Sequence, residues 1–370
     1  MSRSGVMSAD GASEPSHLHD HLKIMTMKLR SPFGWLALAA LSASPLCGQE
    51  NMLPVSRTAG VLTADLPAGK STLVGMPFAS IVASGTVGAV NAGQLTLVSS
   101  PSVLPSLTAA PHAIKITSRV DQRGTGANAP AGSSTNAYGY AAKITAQADQ
   151  AVTAALSVVP NVGDEFVIYK LATLSSLFGA TNSANLKEGE TSATADIVYL
   201  ASAGELVGYF YHSTADVWRE IATPTTGDAG ATEIAPGAAI LVTRKADGAA
   251  NIELTVTGDT LPGRQVSDVN TGFQVINNPY SVSTTLAASG LQSAVTGGTG
   301  AASADVIYLE QDGVLSGYYY KTGGVGGIGW RALSDNVADA GATLVSPGKA
   351  ILFKEQAGTV KFVLQEPFAE

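Results

Sequence analysis

Six aromatic residues form the one constellation with chemical content in this sequence. Tyr209, Tyr211 and Trp218 recur as Tyr318, Tyr320 and Trp330. Two tyrosines two positions apart on a strand share a face, and with a nearby Trp they could form a platform that stacks on sugar rings. The simpler reading is that each triplet fills a core, because large rings bury large areas. Four acids match in the same way, Asp196 with Asp305 and Asp228 with Asp339. Paired carboxylates can hydrolyse glycosides, but here each copy supplies the same acid in the same setting, which points to duplicated turn or strand-end acids. The run GVGGIG at 324–329 fits G-x-G-x-x-G. A dinucleotide site needs a strand before that motif and a helix after it; here Trp330-Arg331 and a turn follow, so a hairpin loop is expected. There is no G-x-S-x-G elbow. His112 follows Pro111 at a strand start, and His212 becomes Lys321 in the second copy, so neither is expected to act as a base held by a partner. No catalytic residue, metal site or cofactor is expected.

An internal repeat organises the elements that carry these residues. Displaced by 109 residues, ADIVYL at 195–200 falls on ADVIYL at 304–309, and the Tyr-Phe-Tyr run 209–211 on Tyr318, Tyr319 and Tyr320. Three inserted residues later Trp218-Arg219 meets Trp330-Arg331, and then DAGAT, Pro-Gly and Ala-Ile-Leu follow in both copies. Each copy reads as strands. LVGYFYH alternates with period two, placing Val207, Tyr209 and Tyr211 on one face and Leu206, Gly208 and Phe210 on the other. Pro236-Gly237 is a turn before the β-branched run AAILVTRK. The region 50–160 is also rich in short strand-like runs between Gly, Pro and Asn, a pattern of small barrels and sandwiches. A faint echo links it to the repeats, LVGMPF at 73–78 with VINNPY at 275–280. Helix is expected only over 171–178 and 282–291, and a mobile Gly/Ala/Ser/Asn loop over 124–136.

The fold expected is therefore mainly β: a small N-terminal β-barrel or sandwich, followed by two duplicated antiparallel β units with few short helices. The expected boundaries are an over-called start at 1–26, a signal peptide at 27–48, an N-terminal β domain at 49–160, and repeat units at 161–262 and 263–370.

The signal peptide rests on Lys28 and Arg30 before the apolar stretch FGWLALAALSASPL, which is too short to cross a bilayer. Cleavage is expected after Gly48, with Ser42 as the alternative. Leu46 and Ser44 fit a lipidation motif at Cys47 poorly. His17, His19 and His21 in HLHDH have the look of a metal cluster, but they lie upstream of the signal, whose own start is expected at Met25 or Met27. The chain of 370 residues has 21 Lys+Arg, 29 Asp+Glu and one Cys. These values exclude a basic nucleic-acid binder, a disulfide scaffold and a charge-rich disordered chain.

The segments ADLPAGKSTLVGMPF, PHAIKITSR and VGDEFVIYKLATLSSLFG, with the two DxxYL…GYxY…WR…PGxAIL units, resemble a paralogous family of signal-peptide-bearing exported proteins from verrucomicrobial-type, Gram-negative bacteria. The resemblance runs from about residue 57 onward. It implies export and a modular β architecture, and it carries no activity or site residue. Two functional classes follow. One is an exported non-enzymatic protein of the envelope or extracellular space, structural or partner-binding. The other is a carbohydrate-binding or carbohydrate-active protein that uses the aromatic faces. An outer-membrane barrel is a third reading, poorly served by aromatics clustered in the repeats. The partners expected are an envelope protein, a polysaccharide or a second copy of the chain. Nucleic acid and a transmembrane helix are not expected.

Overall fold

The computed structural model describes residues 59–91, 93–118, 137–249, 251–278 and 283–364. The stretch 1–26, the segment 27–48 expected to be a signal peptide and the loop expected over 124–136 lie outside the described residues. The chain is mainly β, with a closed six-stranded barrel and further antiparallel sheets.

Strands β1 (Ala59–Pro67) and β2 (Ser71–Val74) come first. The barrel follows: β3 (Phe78–Asn91), β4 (Gln94–Ser100), β5 (His112–Ile116), β6 (Ala141–Ala148), β7 (Ala151–Ala154) and β8 (Glu165–Lys170). Its order is β3-β4-β7-β6-β5-β8, closed by β8 on β3. Alternation turns Ile114, Ile116, Phe166 and Ile168 inward onto Val87, Leu95 and Val152, so the interior is packed with side chains. Ala113, Val167 and Tyr169 point outward and are covered by Leu261 and Ala79.

Helix α1 (Leu174–Phe178) follows. Thr173 caps it in a reciprocal pair with Ser176, and Gly179 at φ 89° ends it. Helix therefore fills only the second half of the expected span 171–178. The first β unit continues with β9 (Ile197–Ser202), β10 (Glu205–His212), β11 (Val217–Glu220), β12 (Ile240–Thr243) and β13 (Asn251–Thr260). The second comprises β14 (Gln265–Ile276), β15 (Thr284–Thr285), β16 (Val306–Gln311), β17 (Val314–Lys321), β18 (Gly329–Ala332), β19 (Leu344–Val345) and β20 (Ile351–Leu364). The helix expected over 282–291 is absent from the described part of that span. Thr284–Thr285 pairs with Leu344–Val345 instead, and a single 3₁₀ turn begins at Leu291. Gly290, at φ 75°, sits where a helix would have to continue.

The two sheets match strand for strand. The first runs β11-β10-β9-β12-β2 and the second β18-β17-β16-β20-β14. Tyr211 faces Trp218 across one hairpin, and Tyr320 faces Trp330 across the other. Strand pairing crosses the boundary expected at 160. β2 pairs with β12, and β1 with β13 along nine residues, so both belong with the first β unit and the barrel interrupts that unit. In the second unit one long pair, β14 with β20, does the work of both, with an irregularity between Asn270 and Gly272.

The units meet back to back through equivalent residues. Leu73, Ala239 and Leu241 pack with Val275, Ala350 and Leu352. The Pro-Gly turns lock this contact reciprocally. Gly75 N–H donates to Gly348 C=O at 2.8 Å, and Asn277 N–H donates to Gly237 C=O at 2.9 Å. A Pro-Gly turn in both units is thus explained: each offers its Gly carbonyl to the other unit.

Candidate functional site

The six aromatic residues do not form a surface. Trp218 is 1% exposed and Trp330 2%. Tyr209 and Tyr211 join Trp218 in the first core, and Tyr318 and Tyr320 join Trp330 in the second. The Tyr211–Trp218 and Tyr320–Trp330 rings meet edge to face at 5.7 and 5.5 Å, a favourable geometry for packed rings. The rings pack within their own unit, with Tyr320 half-buried. Burial raises the phenol pKa of Tyr209 and of Tyr211, so both stay neutral.

The matched acids are committed to backbone. Asp228 and Asp339 each accept from the N–H two residues on, that of Gly230 and of Gly341. Asp196 is buried and accepts from the N–H of Lys187 and Lys245 and from Arg244 Nε at 3.0 Å. Asp305 accepts from the N–H of Thr296 and Gln356. The histidines are equally local. His112 Nδ1 lies 2.8 Å from Ala110 C=O and 3.0 Å from Leu107 C=O. A carbonyl only accepts, so this nitrogen carries the proton. His212 Nδ1 does the opposite and accepts from the N–H of Thr214 and Ala215. Its role is to close a tight turn.

The units diverge at this turn. In the first, residues 213–216 link β10 to β11 and are polar apart from Ala215. In the second, residues 322–328 link β17 to β18 as a hairpin loop and carry the GVGGIG run as far as Ile328, its last residue Gly329 opening β18. Where His212 accepts backbone N–H groups, Lys321 donates to backbone carbonyls. Lys321 is buried, and its Nζ reaches Val325 C=O and, at 3.0 Å, Asn336 C=O. One ammonium therefore ties this loop to the next one, residues 333–338. Arg331, also buried, donates to the carbonyls of Gly326 and Gly327 and to Asp339 Oδ1. A buried cation is costly unless it is paired; here the partners are the loops themselves, although Arg331 Nε has none among the described residues.

The tied loops hold apolar side chains in water. Val325 is 77% exposed, Ile328 69% and Val337 51%. The three-residue insertion was readable in sequence, but the cations that hold it were not, because a Lys in place of His212 gives no sign of its burial. The second loop is set by Asp335, whose Oδ1 accepts from the N–H of Val337 at 2.9 Å and of Ala338 at 3.1 Å. Those two bonds hold its carboxyl below the usual range. The contacts should therefore be complete above about pH 3.9, the ordinary Asp value, and be lost as pH falls through the lower folded value. In an acid titration followed by NMR, the Val337 and Ala338 amide shifts should move with a midpoint below about 3.9. A midpoint at or above that value would contradict the anchoring.

No family model, curated protein or solved structure matches the sequence. Among the described residues, no helix is long and apolar enough to cross a membrane.

Proposed function

We propose that this is an exported, non-enzymatic protein of the cell envelope or extracellular space that binds a partner protein through the tied loops of its second β unit. The observation that carries this reading is the rigid display of Val325, Ile328 and Val337 on loops fastened by two buried cations. Apolar groups held in water by a preorganised scaffold lose little conformational freedom on docking. Repetition supports the same view: the two units share cores, strand order and Pro-Gly turns, and they differ where the loop lengthens. The resemblance to exported verrucomicrobial-type proteins and the signal-like segment 27–48 support export. Catalysis has no place in the proposal, since the matched acids and both histidines are engaged in holding local backbone.

A photo-crosslinking residue placed at Ile328, in cells producing the full chain, tests it. An adduct should form in the envelope or secreted fraction, on a chain whose N-terminus lies near Gln49. The same probe at Thr214, on the corresponding loop of the first unit, should form none. Equal labelling at both sites, no adduct at Ile328, or an unprocessed cytoplasmic chain would overturn the proposal.

A further inference from the structure

Between the outer wall of the barrel and the first unit lies a cavity of about 250 Å³. Strands β5 and β8 supply its barrel side, and β13, α1 and the Pro236-Gly237 turn line it further. Most of its lining is apolar, including Leu177, Ile234 and Val256. Into this setting the fold places Tyr169, which is 4% exposed. A phenol hydroxyl in the wall of a cavity can donate to a ligand oxygen, and Tyr169 lines this one. Lys115 lies on the same barrel face: the register sets Ala113 opposite Tyr169 and Lys115 opposite Val167. That diagonal separates Tyr169 and Lys115 by about 7–8 Å. The lining includes two lysines, Lys115 and Lys170, and no acid; Lys115 Nζ donates to Gly263 C=O at 3.1 Å, which holds its charge at the cavity wall.

We propose that this cavity binds a small monocarboxylate, its hydrocarbon part against the apolar wall and its carboxylate accepting from the Tyr169 hydroxyl beside Lys115. Burial supports the donor role, because it pushes the Tyr169 phenol up and keeps it protonated. The volume is adequate: an apolar cavity of about 150 Å³ already takes benzene. This site is separate from the loops of the second unit and does not depend on a protein partner.

Calorimetry of the full chain with sodium octanoate tests the proposal, with octanol as the uncharged control. Octanoate should bind saturably at one per chain, and octanol about tenfold more weakly or worse. Tyr169→Phe should weaken octanoate about tenfold or more, as expected for losing a hydrogen bond to a charged group, and leave octanol unchanged. Ala141→Phe, which fills the cavity from β6, should abolish both. If that variant does not fold, Tyr169→Phe, which removes a single oxygen, still decides. Absence of saturable octanoate binding in the millimolar range, or octanoate binding unaffected by Tyr169→Phe, would overturn the assignment.

Discussion

Asp196→Ala is expected to destabilise the protein by about 3–5 kcal/mol, the largest effect of any single charge removal. Asp196 and Arg244 form an ion pair whose side chains are 0% and 1% exposed. The guanidinium also donates to the carbonyls of Leu66 and Ala249, and the carboxylate accepts two backbone N–H groups. The network ties β1 to the end of β12 and to the entry of β9. Removing the carboxylate leaves a guanidinium charge buried without its counter-ion and orphans two amides. The cost is that of the unpaired charge, not the worth of the pair. Two comparisons in denaturant unfolding isolate this. Asp247→Ala, which breaks the exposed Lys187–Asp247 bridge, should cost far less, because water screens an exposed pair. The double replacement Asp196→Leu with Arg244→Met should recover much of the loss, since an apolar pair carries no desolvation penalty. A loss for Asp196→Ala no larger than for Asp247→Ala would refute the argument.

Trp218→Ala and Trp330→Ala should each cost about 3–5 kcal/mol, a large share of a domain's stability of about 5–15 kcal/mol. The two sites then separate in a milder substitution. Trp218 Nε1 donates to Gly179 C=O at 3.2 Å, and its ring lies 5.6 Å from Phe178. Both partners come from α1 and its cap. The second unit has a turn where the first has that helix, and Trp330 Nε1 is buried without a partner among the described residues. Replacement by Phe deletes an indole N–H in both. At Trp218 that strands a carbonyl, whereas at Trp330 it removes an unsatisfied donor. Trp218→Phe should therefore be worse than Trp330→Phe by about 1 kcal/mol. Equal losses in unfolding titrations would show that the Gly179 bond contributes nothing. A change under about 0.5 kcal/mol for either alanine variant would mark a surface residue and contradict the burial.

Much of the fold was legible because β-strands declare themselves locally. The alternation in LVGYFYH put Tyr209 and Tyr211 on one face, and both are in the first core. Gly208 on the opposite face has no room for a Cβ, which would meet Ile221 at 2.4 Å. The barrel could be expected from closely spaced short strands, but its closure could not, because β3 and β8 meet across the intervening hairpins. The membership of β1 and β2 was hidden for the same reason. The one trace was the resemblance of LVGMPF to VINNPY, and it is exact in register: Val74 pairs with Ile240 as Ile276 pairs with Ile351. The carboxylate cavity left no trace at all. Tyr169 and Lys115 sit in EFVIYK and HAIKI, which read as ordinary buried strands, and only the packing of barrel against sheet brings their outer faces to a cavity.

The interruption of the first unit by the barrel has a consequence during synthesis. Barrel strands β3 to β8 all lie within residues 78–170 and find their closing partners among themselves. The preceding strands cannot: Val74 must wait for Ile240, 166 residues further along. At a translation rate of about 5–20 residues per second, that wait is roughly 8–33 s. Once Lys170 has completed the barrel, the strand Thr72-Leu73-Val74 hangs from it as an unpaired edge until Ile240 arrives, the kind of strand that recruits other chains. The order of assembly is thus written into the connectivity: barrel first, then the return of β12 and β13 to capture the waiting strands, then docking of the second unit. A nascent chain stalled before residue 240 should be the species most prone to aggregate and most dependent on a chaperone.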